Sequence, residues 1–180
     1  MTKKLIRYFD GIIVFSVAAF FTYQGIAKTN EHTNRLNEAK KELQKELYCA
    51  AKNIYFEANN QKVKEKKAIM EVVLNRVESK KFPDTICDVI YDAKFDSAGN
   101  PIRHKCQFSW FCDGKPETIE DKKGFEQAYN IALDVINARL NGEANMTQNS
   151  LWYHADYVSP YWSKVYQKQV QIGRHIFYSK

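Results

Sequence analysis

The sequence predicts an α+β fold, mainly helical, with a small β element and an N-terminal transmembrane helix ahead of the folded domain. Apolar residues recur at helical spacing in 46–58, 65–77 and 119–140. The stretch 151–178 is instead aromatic and β-branched, broken by Ser159-Pro160 and Gly173, a composition that suits short strands and loops. Residues 11–27 carry no charge and follow Lys3, Lys4 and Arg7. A length of 180 residues suffices for one domain with a real core and a tail.

The uncharged N-terminal run is short for a membrane span at about 1.5 Å per residue, but long enough to serve as one. Its basic flank stays cytoplasmic by the positive-inside rule, so everything after Lys28 is expected to be exported. Residues 1–28 are therefore read as a signal anchor, with 5–27 in the inner membrane and the rest in the periplasm. Residues 29–46 are polar, with Leu36, Leu43 and Leu47 at helical spacing, and read as a helical linker. The domain then occupies 47–180.

Within it, Glu46 to Ala58 forms a helix on the apolar face Leu47, Ala50, Ala51 and Ile54, which leaves Glu57 near its end. A second helix, Glu65 to Val77, carries Ala68, Ile69, Val72, Val73 and Leu74. Phe82-Pro83-Asp84-Thr85 stops it, and Ile86 to Tyr91 is a short apolar element. The polar stretch 92–105, with its Gly99-Asn100-Pro101 turn, reads as an exposed excursion. A third long helix runs from Ile119 to Leu140 and closes at Asn141-Gly142.

The charge balance, 27 Lys+Arg against 21 Asp+Glu, is a moderate basic excess without the dense clustering of a nucleic-acid binder. It favours an anionic partner, and no protein partner is predicted. Cys49, Cys87, Cys106 and Cys112 lack zinc-type spacing and should be oxidised if exported; three pairings are open to them. Bridges from Cys49 or Cys87 to the 106–112 segment would tie the helix before Glu57 to that segment. His154 and His175 are not in HxxH or HExxH spacing, and neither G-x-S-x-G nor a Cys-His signature occurs. No metal and no cofactor are therefore expected.

Five blocks carry a resemblance: CAAKNIYFEA (49–58), AIMEVVLNRV (68–77), FPDTICDVIY (82–91), CQFSWFCDG (106–114), and WYHADYVSPYWS through IGRHIFY (152–178). In this order they resemble the SleB/CwlJ-type cell-wall hydrolases. The resemblance implies a lysozyme-like or transglycosylase-like helical core and cleavage of the β-1,4 bond between N-acetylmuramic acid and N-acetylglucosamine in peptidoglycan. Glu57 matches the family's catalytic glutamate. The anchor's small residues also resemble the signal-arrest-release segments of phage lysins, which places the protein in phage lysis or wall remodelling. After Glu57 the family often reads Ala-Arg-Gly-Glu, whereas here Ala58-Asn59-Asn60-Gln61 follows, so no second acid stands at 61.

The residue types suit that chemistry. A general acid must be protonated near neutral pH, and Tyr55, Phe56 and Ala58 around Glu57 would desolvate its charged form. A single carboxyl is enough for a lytic transglycosylase, whereas ordinary glycoside hydrolysis usually takes two. Asn75 and Arg76 are candidates for orienting Glu57 or binding sugar amides. Gln107, Ser109 and Asp113, set among Phe108, Trp110 and Phe111, suit a sugar groove. Tyr153 and His154 complete the substrate-binding candidates. The rival functions are a zinc-dependent N-acetylmuramoyl-L-alanine amidase and a non-catalytic, membrane-anchored peptidoglycan-binding protein.

Overall fold

A computed structural model describes the backbone of residues 2–180 and the side chains of residues 28–180. The chain divides into two compact units, residues 1–43 and 44–180. Helix α1 (Thr2–Ala58) supplies the described backbone of the first unit and the opening turns of the second. In the first unit the described side chains are all exposed, Leu36 and Leu43 among them, as befits a polar helix. The expected membrane segment falls on residues whose side chains lie outside the description. Among the described residues, no helix is long and apolar enough to cross a membrane.

The second unit is built around α2 (Val63–Val77). Ala68, Ile69, Met70, Val72 and Val73 are fully buried, and they serve two cores because the apolar stripe is wider than one face. Met70 and Val73 join Ala50, Ala51 and Ile54 of α1, Val89 and Ile90 of α3 (Ile86–Ile90), and Ala128, Ile131 and Ala132 of α4 (Lys122–Leu140). Ala68 and Val72 instead pack on Ile172 and Phe177 of a three-stranded antiparallel sheet. That sheet has the order β3-β5-β4, from β3 (Trp152–Ala155), β4 (Gln167–Ile172) and β5 (His175–Ser179). The fold is thus helix-rich α+β, with this three-stranded sheet late in the chain, where the aromatic and β-branched composition predicts strands.

Local chemistry sets the boundaries. Thr85 caps α3 by accepting the Asp88 N–H at 3.1 Å, and the Glu46 carboxylate accepts the Ile86 and Cys87 N–H groups at 2.6 and 3.2 Å. Asp121 caps α4 through the Gly124 N–H at 3.0 Å, so this helix starts at Lys122 rather than at the expected Ile119.

Two features go beyond what the sequence resolves. The 92–105 excursion is exposed, as read, and it forms an antiparallel hairpin of two strands, β1 (Ala93–Phe95) and β2 (Pro101–Cys106). Asp96 closes it by accepting the Ala98 and Asn100 N–H groups, both at 2.9 Å, and Gly99 supplies a φ of +81°. The cysteines pair as Cys49–Cys87 and Cys106–Cys112, so neither bridge joins α1 to the 106–112 segment. The first staples α1 to α3, and the second closes the hairpin onto the 310 turn Ser109–Cys112.

Candidate active site

A groove of about 490 Å³ opens where the end of α1, the 310 turn and the sheet meet. Phe56, Glu57, Gln61, Ser109, Trp110, Asp113, Tyr153, His154, Ala155, Tyr157, Val158, Arg174 and His175 line it. Asn53 and Glu57 lie one turn apart on the same face of α1. Asn53 Oδ1 accepts the Trp110 indole N–H at 2.9 Å, and Phe56 stacks on Trp110 at 5.0 Å. The 310 turn is therefore docked against α1 beside Glu57.

Three groups act on the Glu57 carboxyl. The Tyr153 hydroxyl donates to Oε2 at 3.2 Å, the Ser109 backbone N–H donates to the carboxylate, and the Arg76 guanidinium supplies positive charge. All three favour the ionised form, yet burial outweighs them and holds the carboxyl above its ordinary value of 4.5. The last turn of α1 contains no basic residue, and its carbonyl end also disfavours a negative charge. Glu57 is thus an acid that keeps its proton to higher pH while remaining in contact with the groove. Burial, followed by the adjacent Glu57, pushes Tyr153 well above the ordinary range, so it remains a phenol donor.

The other candidates divide. Asp113 lines the groove, and the Lys115 backbone N–H at 2.8 Å holds its carboxylate below the ordinary range. His154 also lines it, stacked on Tyr178 at 5.2 Å. Its Nδ1 faces the Ala155 carbonyl at 2.9 Å, so that nitrogen donates, and its Nε2 faces the Tyr178 hydroxyl at 3.0 Å. The exposed side chain of Ser109 borders the groove, while its backbone serves Glu57.

Arg76 is 4% exposed, behind the groove, with Nε donating to the Leu151 carbonyl at 2.9 Å and its plane over Phe82 and Phe108. It reaches the site as a charge rather than as a groove contact. Asn75 lies in a separate buried cluster. Its amide donates to Thr147 Oγ1 at 3.2 Å and to the Ser150 carbonyl at 2.8 Å, and accepts from Arg139 and Asn145. Gln107 is exposed outside the groove lining and bonds to Asp92 at 3.2 Å. Asn75 and Gln107 are therefore not brought to Glu57.

Among the polar and aromatic residues in or under the groove, Asn53, Tyr157, Arg174 and His175 escaped the sequence reading in these roles. Asn53 was within reach of it, being one helical turn before Glu57. Gln61, noted there only as a lost acid, faces the groove as a neutral amide. Among the described residues no three His, Cys, Asp or Glu side chains come together as a metal-binding set.

The sequence pattern of the Cell Wall Hydrolase family matches residues 60–178, beginning just after Glu57. The fold is similar to the catalytic domain of the germination-specific lytic transglycosylase SleB from Bacillus anthracis, at 26% identity and a TM-score of 0.56. That match covers 76% of this chain and 95% of the SleB chain. The catalytic domain of the Bacillus cereus SleB protein is similar at 26% identity and a TM-score of 0.57, covering 76% and 91%. No curated protein sequence matches significantly. Two thirds of the chain follow the family's sequence pattern, from α2 to the last strand, and on that ground it belongs to the cell wall hydrolase family.

Proposed function

We propose that this chain is a peptidoglycan glycosidase, a lytic transglycosylase that cleaves the β-1,4 bond between N-acetylmuramic acid and N-acetylglucosamine with Glu57 as its one general acid and base. The observation that carries the reading is the Glu57 carboxyl, whose pKa burial raises, at a groove large enough for sugar rings. Family membership and the likeness to the catalytic domain of a lytic transglycosylase support it.

Glu57 gives its proton to the glycosidic oxygen as the C1–O bond breaks. The carboxylate so formed is stabilised by the Tyr153 hydroxyl, the Ser109 N–H and the Arg76 charge, which are in place before the reaction. It next takes the proton of the muramic acid C6 hydroxyl as that oxygen closes on C1. Glu57 is thereby reprotonated and the product carries a 1,6-anhydro end. No second carboxylate is required, which suits the amide at Gln61.

Mass spectrometry of muropeptides released from purified sacculi tests this. Anhydro-muropeptides from the wild type, with none from Glu57→Gln, are expected. Reducing ends would mean hydrolysis, and release by Glu57→Gln would remove Glu57 from the role. We further propose that the chain acts in the periplasm, held at the inner membrane by residues 5–27. The uncharged run after Lys3, Lys4 and Arg7, and the pairing of all four cysteines, support this location. Fractionation of cells producing the intact chain tests it.

A further inference from the structure

We propose that His175, braced from behind by Glu65, is a positioning residue that keeps the Tyr153 hydroxyl on the Glu57 carboxylate. The proposal rests on the reading of Glu57 as the acid. Its basis is a line of contacts from α2 to the groove that the reaction itself does not use.

Glu65, in the first turn of α2, is only 5% exposed and points at the β4–β5 turn. Its Oε1 accepts the Arg174 N–H at 2.9 Å and faces His175 Nδ1 at 3.7 Å, where that nitrogen, buried, has no hydrogen-bond partner. The turn is shaped around this carboxylate. Gly173 has a φ of +56°, and a Cβ on it would lie 2.0 Å from the Glu65 carboxyl carbon. His175, 7% exposed, then presents its ring to the Tyr153 ring, edge to face at 5.4 Å. Tyr153 and His175 share one face of the sheet, because Tyr153 opposes Phe177 and Ala155 opposes His175 in register. Phe177 backs Tyr153 at 5.7 Å, so His175 and Phe177 together fix the ring whose hydroxyl reaches Glu57.

The charged and titratable groups around this line are few. Glu65, Asp156, Arg174 and His154 act on His175; Tyr153 and Arg76 act on Glu57; Asp113 lines the same groove. Burial holds His175 below its ordinary value, so it serves as a neutral ring.

The Tyr153 hydroxyl favours the ionised form of Glu57, so releasing it must move the Glu57 midpoint to higher pH. The test is a carboxyl-carbon NMR titration of Glu57 in the full chain, which needs no turnover, run beside kcat and KM on sacculi. His175→Ala is expected to raise the midpoint, as Tyr153→Phe does, and the double variant to raise it no further than Tyr153→Phe alone. The basic limb of kcat/KM should follow, with kcat about five- to ten-fold lower and KM unchanged, the size of one lost hydrogen bond. His175→Phe, which restores a flat ring, should return both readouts. Should His175→Ala fail to fold, His175→Leu replaces it with the same expectation. A folded variant at position 175 with an unmoved midpoint, or additive shifts in the double variant, would overturn the proposal. If no muropeptide is released, the titration still decides the positioning role, and only the reading of Glu57 as the acid falls.

Discussion

Glu71 and Glu57 are glutamates set among apolar side chains on successive helices, and their partners differ in kind. Glu71 accepts two backbone N–H groups, from Thr147 at 2.9 Å and Met146 at 3.3 Å, beneath the loop 141–151. Around it Asn75, Thr147, Ser150, Asn145 and Arg139 bond to one another or to backbone. Glu57 has one phenol, one N–H and a more distant cation, and an open groove on its other side. Both arrangements satisfy a glutamate, but Glu71 borders only a small pocket of about 110 Å³, whereas Glu57 faces the groove of about 490 Å³. A cluster in which each partner is fixed backbone or a saturated amide resists change, whereas a carboxyl with few partners and much burial can exchange its proton.

The comparison breaks most visibly in activity. Glu57→Gln should lower turnover on sacculi by about 10²–10⁴-fold, the usual worth of a general acid. Circular dichroism should show an unchanged fold.

The two disulfides sharpen it next. Replacing Cys49 and Cys87 by serine removes a staple across 38 residues and should cost about 2–4 kcal/mol, read as a lower denaturation midpoint. Replacing Cys106 and Cys112, only six apart, should cost less stability and more activity. That bridge secures the turn carrying the Ser109 N–H and Trp110. Equal losses of activity in the two variants would contradict the division.

Asn75→Ala should then cost about 1–3 kcal/mol, because it strips buried partners from Thr147 and the Ser150 carbonyl. Its turnover per folded molecule should match the wild type, and a large loss would place Asn75 in the site after all.

The smallest effect lies in the pH dependence of stability. Because folding raises the Glu57 pKa, the native state binds more protons than the unfolded one between the ordinary 4.5 and the raised value. The contribution of Glu57 to stability is therefore full below pH 4.5 and declines as pH rises through that window. Glu57→Gln should accordingly be slightly more stable than wild type above the window and should lose that advantage below it, as chemical denaturation at several pH values would show.

How much of this the sequence discloses depends on the range of the interaction. Helices α2 and α4 are legible because their stripes obey local periodicity, and Glu57 because it stands in a block that resembles a known family. Asn75 and Arg76 read as a pair but are not one. Adjacent helical residues diverge by about 100° at 3.6 residues per turn, so one enters the Glu71 cluster and the other lies behind the groove. Gln107 shares a segment with Ser109 yet pairs with Asp92 outside the groove, at the base of the hairpin formed by the exposed excursion. The disulfide pairing and the approach of Glu65 to Gly173 join segments distant in sequence, and no local spacing records them.

Of the three tryptophans, only Trp110 lines the groove; Trp152 and Trp162 pack together with Tyr166. With its N–H held by Asn53 and its ring against Phe56, Tyr91 and Phe111, Trp110 is 7% exposed and borders the groove. The protein thus carries its own optical probe: with Trp152 and Trp162 replaced by phenylalanine, Trp110 emission should report occupancy of the groove, even in Glu57→Gln.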